Sequence, residues 1–205
     1  MTIDLNCDMG EAYGIYKCGD DAGIMPLISV ANVACGFHAS DPSVMRQTVR
    51  LAKQHGVRVG AHPSYPDRDG FGRRRMEMEA EELTACIIYQ VGALKGFLDA
   101  EGMALNHVKP HGALYGAAWR DEKVARAIAR AAKAFAVPLM AMSGTGMGKW
   151  YQDEGVEVIW ETYVDLEYND DGEIVITRQH EPVSVEVAAA QALRSARDGQ
   201  VQTMS

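Results

Sequence analysis

The sequence has little that would direct it to a nucleic acid or a membrane. Its only basic run is 73-RRR-75, and 20 lysines and arginines against 28 aspartates and glutamates leave a net charge of -8. No apolar stretch approaches the roughly 18 residues that a membrane-spanning helix needs, and acidic residues interrupt the N-terminal segment where a signal peptide would be apolar. These absences argue against nucleic-acid and membrane partners and predict a cytoplasmic protein.

Cysteine is also scarce. The 4 cysteines show no CxxC or zinc-knuckle spacing, so the sequence predicts free thiols in a reducing compartment rather than a disulfide framework. With 205 residues, of which 47% are hydrophobic, the chain is long enough to bury one substantial core. A single domain over residues 1–205 is therefore expected.

Short apolar segments alternate with helical patterns along the chain. Three of these segments directly follow a glycine that is typical of a helix end. Six strands are predicted, within residues 2–8, 27–35, 55–62, 101–109, 136–142 and 154–161. Helical periodicity is found in residues 41–54, 80–100, 121–135 and 185–197. Strands that alternate with helices at this spacing predict βαβ units and a parallel sheet.

Polar side chains recur at alternate positions of these strands and just after them. The clearest case is 104-ALNHVKPHGALYG-116, in which His107, Lys109 and His111 share one parity. Side chains alternate between the faces of a strand, so these three are expected on one side. An antiparallel strand with one wet face explains a single such segment, but the recurrence favours a β/α barrel whose polar groups face its mouth.

Several long segments resemble the LamB/YcsF family, whose members are described as the A-type subunit of 5-oxoprolinase. They cover the first 115 residues densely and include 3-IDLNCDMGEAYG-14, 31-ANVACGFHASDPSVM-45, 60-GAHPSYPDRDGFGRR-74, 89-YQVGAL-94 and 107-HVKPHGALY-115. The resemblance implies a distorted seven-stranded β/α barrel of the glycoside hydrolase/deacetylase type. Six of its strands are recognisable, and the last strand is expected to be missing at the C-terminal end.

The resemblance also implies a function. Proteins of this family act with two partner subunits, of B and C type, to open 5-oxoproline to L-glutamate while ATP is hydrolysed to ADP and phosphate. ATP is therefore an expected cofactor, whereas a divalent metal and a homo-oligomer are left open. Two alternatives remain: a stand-alone metal-dependent amidase or carbohydrate deacetylase, and a non-catalytic assembly subunit.

Opening a lactam requires an activated water and a partner for the developing charge. Asp8, Glu11 and His62, each at or just after the end of a predicted strand, are candidates for the base. Lys109 is the first choice for charge stabilisation, because its histidine neighbours and partial burial favour a lowered pKa and so proton transfer as well. His111 is expected to protonate the departing ring nitrogen.

The remaining candidates are assigned to substrate or metal. The predicted substrate-binding residues are Asp4, Asn6, Glu11, Asn32, His38, Arg73, Arg74, His107 and Glu161. The related deacetylases use a divalent ion, for which Asp8, His38 and His62 are the candidate ligands. The glycine-rich segment 143-SGTGMGKW-150 lacks the spacing of a phosphate-binding P-loop and is predicted to be a flexible loop.

Overall fold

A computed structural model of the chain describes residues 3–170, 174–175 and 183–199. Within them, six strands form one sheet: β1 (Asn6–Met9), β2 (Val30–Ala34), β3 (Arg58–His62), β4 (Leu105–Val108), β5 (Leu139–Met142) and β6 (Val158–Glu161). The strands follow one another in chain order, and the pairs from β1 to β5 are parallel. This sequential parallel order is that of a β/α barrel. All six predicted strands are present.

Seven α-helices lie in the described part of the chain. They are α1 (Asp21–Ile24), α2 (Pro42–His55), α3 (Ala80–Ala100), α4 (Gly112–Ala118), α5 (Glu122–Lys133), α6 (Met147–Asp153) and α7 (Val185–Asp198). The four predicted helices correspond to α2, α3, α5 and α7. The prediction of a loop over residues 143–150 was wrong for its second half, because that half begins α6.

Helix α2 shows how local sequence signals determine an element. The Asp41 side chain accepts hydrogen bonds from the backbone N–H groups of Ser43 and Val44, and Pro42 occupies the first turn. Gly56 ends the helix with a φ of 68°, a left-handed conformation that glycine adopts without strain. The cap and the glycine together position the start of β3, which carries His62.

Helix α3 is the one helix in the described residues whose length and composition would suit a membrane span. It buries Leu83, Ile87, Val91, Leu94 and Leu98, and it packs against α5 and against β3 and β4. These contacts are those of a core helix, since one apolar side of it is covered by the sheet and by its neighbour.

The residues fall into two compact units. One comprises Thr2–Ala141 and Thr145–Ile159, and the other comprises Met142–Gly144 and Trp160–Ser205 together with Met1. The first unit contains most of the strand residues and most of the candidate site residues. The prediction of one domain over residues 1–205 stays a prediction.

The backbone hydrogen bonds of β4 continue past its last residue. The Lys109 N–H donates to the Ala61 carbonyl at 2.8 Å, and the His111 N–H donates to the Pro63 carbonyl at 2.8 Å. The segment therefore stays extended beside β3 through Pro110. Alternate side chains continue on one side, as the sequence predicts for His107, Lys109 and His111.

Candidate functional site

A polar ladder joins side chains of β1, β2 and β4. Asn32 Nδ2 donates to Asn6 Oδ1 at 2.7 Å and to Asp8 Oδ1 at 2.9 Å. The side-chain oxygen of Asn32, Oδ1, accepts from His107 Nε2 at 2.7 Å. Lys109 Nζ lies 3.3 Å from Asp8 Oδ1 and 3.4 Å from Asn6 Oδ1. The amide of Asn32 thus fixes both the Asp8 carboxylate and the His107 ring.

Two histidines meet on the other side of the Asp8 carboxylate. His62 Nδ1 donates to the Lys109 carbonyl at 2.7 Å, while His62 Nε2 lies 3.2 Å from Asp8 Oδ2. His111 Nε2 donates to the Phe71 carbonyl at 2.9 Å. The remaining ring nitrogens, His62 Nε2 and His111 Nδ1, are 2.9 Å apart. Backbone carbonyls therefore determine which nitrogen of each ring faces its neighbour.

Glu11 and His38 form the outer part of the cluster. His38 Nε2 donates to Glu11 Oε1 at 3.0 Å, and Glu11 Oε1 lies 3.5 Å from His111 Nδ1. The His38 ring stacks on that of His111, and the ring of Phe71 packs edge-on against both. His38 Nδ1 is buried without a hydrogen-bond partner among the described residues.

Burial makes three of the imidazoles neutral. Desolvation lowers the pKa of His38 to about 3, and it does the same for His107 and His111, with further lowering from neighbouring positive charges. A neutral His111 carries its one N–H on Nε2, which donates a hydrogen bond to the Phe71 carbonyl. The Nδ1 atom of His111 is therefore left with a lone pair.

The two carboxylates differ in their pKa. Burial by itself would raise the pKa of Asp8, but the charges of His62 and Lys109 and the hydrogen bonds from His62 and Asn32 hold it well below its usual range. Burial raises the pKa of Glu11, against the opposing effect of His62 and His111. Asp8 is therefore a permanent anion at neutral pH, and Glu11 is the better suited of the two to exchange a proton.

Most of the predicted site residues are brought together in this cluster. They are Asn6, Asp8, Glu11, Asn32, His38, His62, His107, Lys109 and His111. Asp4 is not: it forms an exposed ion pair with Arg58 at the beginning of β3, at the opposite end of the strands. Glu161 is a buried residue of the other unit, where Tyr163 Oη donates to its carboxylate at 3.5 Å.

Arg73 and Arg74 have different environments although they are adjacent. The Arg74 guanidinium and backbone N–H both donate to the buried Asp67 carboxylate. Arg73 lies over the ring of Phe71, at 5.5 Å from its centroid, and no ion pair of Arg73 occurs within the described residues. Its positive charge partly opposes the rise that burial causes in the pKa of the Glu11 carboxyl group. Arg74 is thus a structural residue, and Arg73 is the cation beside the cluster.

Phe71 and two glycines were missed as site residues from the sequence. A side chain at Gly60 would place its Cβ 2.0 Å from a ring carbon of His107. Gly72 has a φ of +65°, and a Cβ there would lie 2.8 Å from His111 Cδ2. The glycines that flank Phe71 in 70-GFG-72 were the available signal, because close approach of backbone to a ring requires the absence of Cβ.

Two groups of side chains have the composition and spacing to hold a metal ion. They are Asp8, His62 and His111, and Glu11, His38 and His111; in each group the ligand atoms lie within 4.8 Å of one another. The set predicted from the sequence was Asp8, His38 and His62. In the structure His111 stands beside Asp8 and His62, because His38 turns its Nε2 to Glu11.

Comparison with known proteins identifies the family. The profile of the LamB/YcsF family matches residues 3–205. The chain belongs to the LamB/YcsF family. It is 53% identical over 178 residues to the lactam utilization protein lamB of Emericella nidulans, with coverage of 87% of this chain and 70% of the relative. It is 46% identical over 205 residues to the A-type 5-oxoprolinase subunit of Chloroflexus aggregans, with coverage of 98% and 81%.

A solved family structure confirms the fold class. The crystal structure of the lactam utilization protein from Thermus thermophilus superposes with a TM-score of 0.95 at 46% identity, covering 100% of this chain and 85% of that one. The α/β class and the partial β/α barrel expected from the sequence are thereby confirmed. Several relatives are named as A-type subunits, which describes those proteins as parts of larger complexes.

Proposed function

We propose that this chain is the A-type subunit of an ATP-dependent 5-oxoprolinase of the cytoplasm, and that it acts with B-type and C-type subunits. The observation that carries the proposal is the convergence of Asp8, His62, His111 and Lys109 in one cluster of a LamB/YcsF chain. The γ-phosphoryl group of ATP would pass to the lactam oxygen, one water would open the ring, and a second water would release phosphate from the resulting acyl phosphate. The products are glutamate, ADP and phosphate.

The cluster is suited to hold the attacking water. His62 Nε2 lies next to both His111 Nδ1 and Asp8 Oδ2, so a water beside these atoms would be oriented by hydrogen bonds to them. A lactam whose oxygen is phosphorylated is a strong electrophile, and attack by such a water needs only a positioned base. His62 is the proposed base, with its tautomer set by the hydrogen bond to the Lys109 carbonyl.

Lys109 is the proposed partner for the negative charge of the reaction. Its ammonium group is buried beside Asp8, where water screens a charge less than it does at the surface. An ammonium held in place before the reaction stabilises a developing oxyanion without reorganisation, which is the usual source of large rate effects.

The departing ring nitrogen needs a proton. The sequence predicted His111 for this step, but a neutral His111 donates its only N–H to Phe71. Glu11 is the better donor in our proposal, because burial raises its pKa and its carboxyl group lies 3.5 Å from His111 Nδ1. Arg73 is the proposed anchor for the substrate carboxylate, while Arg74 is occupied by Asp67.

The proposal is tested by glutamate release from 5-oxoproline and ATP. The assay compares this chain, the two partner subunits and the complete mixture, and we expect release only in the mixture. Lys109→Met should reduce the rate by about 10²- to 10³-fold, the usual effect of losing one preorganised charge partner. Lys95→Met is the matched control, since Lys95 forms an exposed pair with Asp99 on α3.

Two results would contradict the proposal. Full activity of the mixture with folded Lys109→Met and Asp8→Asn chains would indicate a non-catalytic assembly subunit. Amide or acetyl hydrolysis by this chain alone, without ATP, would indicate a stand-alone amidase or deacetylase.

A further inference from the structure

Four nitrogen and oxygen atoms of the kind that bind a metal ion converge in the cluster. His62 Nε2 lies 2.9 Å from His111 Nδ1 and 3.2 Å from Asp8 Oδ2, and Glu11 Oε1 lies 3.5 Å from His111 Nδ1. Both rings already use their other nitrogen as a donor to a backbone carbonyl. Ring nitrogens and carboxylate oxygens at these distances attract one another when a proton or a metal ion lies among them.

We propose that a divalent transition metal ion is bound here by His62 Nε2, His111 Nδ1 and Asp8 Oδ2. Two imidazoles and one carboxylate are a common ligand set of a catalytic zinc site with an open fourth position. The proposal concerns metal binding by this chain and does not depend on the substrate proposed above. With the ion bound, His62 Nε2 would be a ligand, and the ion would activate the water in place of His62.

The outer contacts of the three ligands are those expected around a bound metal ion. In metal sites the ligating histidine nearly always donates its second N–H to a carbonyl or carboxylate, which orients the ring. His62 does this to Lys109 and His111 does it to Phe71. The other oxygen of Asp8 accepts from Asn32. All three ligands are therefore held in place by contacts outside the ligand set.

A proton is the competing occupant of the same position. One proton on His62 Nε2 would be shared between Asp8 and His111. A metal ion attracts all the acceptors together.

The first experiment measures metal binding directly. The full chain is stripped with a chelator, titrated with Co²⁺ and analysed for metal content after removal of free ions. We expect one ion per chain and the intense visible bands of low-symmetry Co²⁺. His111→Phe, which keeps a ring to stack on His38, and Asp8→Asn should lose the bound ion and the bands. His55→Phe is the matched control because His55 is an exposed helix-end residue.

A second variant separates ligand loss from misfolding. Asn32→Ala removes the hydrogen bond to Asp8 but no ligand, and it should weaken Co²⁺ affinity by about 10- to 100-fold, the effect expected of an orienting partner. Thermal unfolding of the stripped variants shows which of them are folded. A folded wild-type chain that binds no Co²⁺, or one that binds it no better than Asp8→Asn and His111→Phe, would overturn the proposal. So would an Nε2–H resonance of His62 that persists in the metal-treated protein.

Discussion

The imidazole of His38 lies flat against that of His111, with ring centroids 3.7 Å apart and ring planes inclined by 3°. Two charged imidazoles would repel one another in this arrangement, and desolvation lowers the pKa of each to about 3. The stack is therefore one of neutral rings. It connects Glu11, which His38 binds, to the pair formed by His111 and His62.

Replacing His38 with phenylalanine separates the stacking of this ring from its hydrogen bond. His38→Phe keeps a flat ring against His111 but removes the donor to Glu11, so we expect the rate of glutamate formation to fall by about 10²-fold. The melting temperature should stay the same or rise, because the variant also removes the unpaired buried Nδ1 atom. Steady-state kinetics of the complete complex and thermal unfolding check the two expectations. An unchanged kcat would show that His38 does not position Glu11 for the reaction.

A methyl group at Gly60 should destabilise the fold. The added Cβ would lie 2.0 Å from the ring of His107, which is buried and bonded to Asn32. Gly60→Ala is expected to lower the free energy of unfolding by about 1–3 kcal/mol, as overpacking of a core usually does. Denaturant unfolding measures this change.

Gly92→Ala provides the matched control for that substitution. Gly92 lies in α3, and a Cβ there would meet nothing within 4 Å. Alanine should stabilise this helix by about 0.5–1 kcal/mol relative to glycine. Equal effects of the two substitutions would contradict the close approach of β3 to His107.

The Asp67 carboxylate should make the stability depend on acid pH. Arg74 holds the pKa of Asp67 below its usual value, and Asp67 also accepts from the Gly70 N–H. A folded-state pKa below the unfolded one contributes stability above about pH 4, and this contribution is lost as the pH falls through the folded value. Asp67→Asn should lower the melting temperature at neutral pH by about 2–4 °C and reduce its fall in acid.

The pH dependence of Asp67→Asn can be checked by thermal unfolding between neutral pH and acid. Arg75→Gln is the control, because Arg75 is exposed and carries the same charge as Arg74. A parallel decline of wild type and Asp67→Asn in acid would show that the ion pair does not contribute to folding.

Cys35 should react with thiol reagents only after unfolding. Burial raises the pKa of its thiol to about 12, and the side chain is 3% exposed. Because the thiolate is the reactive form, alkylation at about pH 8 should be far slower at Cys35 than at the exposed Cys18. Mass spectrometry of the labelled peptides measures both rates, and fast labelling of Cys35 in the folded protein would contradict this packing.

The order of elements could be predicted from the sequence because its signals are local. Apolar strands after helix-ending glycines, the Asp41 cap and the periodicity of α2, α3 and α5 each depend on residues close together in the chain. All six strands and four of the helices were predicted on this basis. Helices α1, α4 and α6 were missed, since they are short and contain glycines that usually weaken a helix.

The composition of the candidate site was also largely determined by the sequence. The alternation of His107, Lys109 and His111 placed them on one side of a strand, and parallel strands bring their C-terminal ends to one edge. Such alternation selects residues but gives no distances between different strands. Asp4 was therefore grouped with Asp8, although Asp4 pairs with Arg58 at the other end of the sheet.

Only the tertiary structure decided which atoms face one another. His111, and not the predicted His38, lies beside Asp8 and His62. This arrangement depends on the hydrogen bonds of His62 and His111 to the Lys109 and Phe71 carbonyls. The difference between Arg73 and Arg74 depends on the burial of Asp67. The sequence determined the strands and the kinds of side chain at their ends, because these are properties of neighbouring residues. Ring orientation, tautomer and pKa were decided by segments far apart in the chain, since each depends on contacts and desolvation that only packing creates.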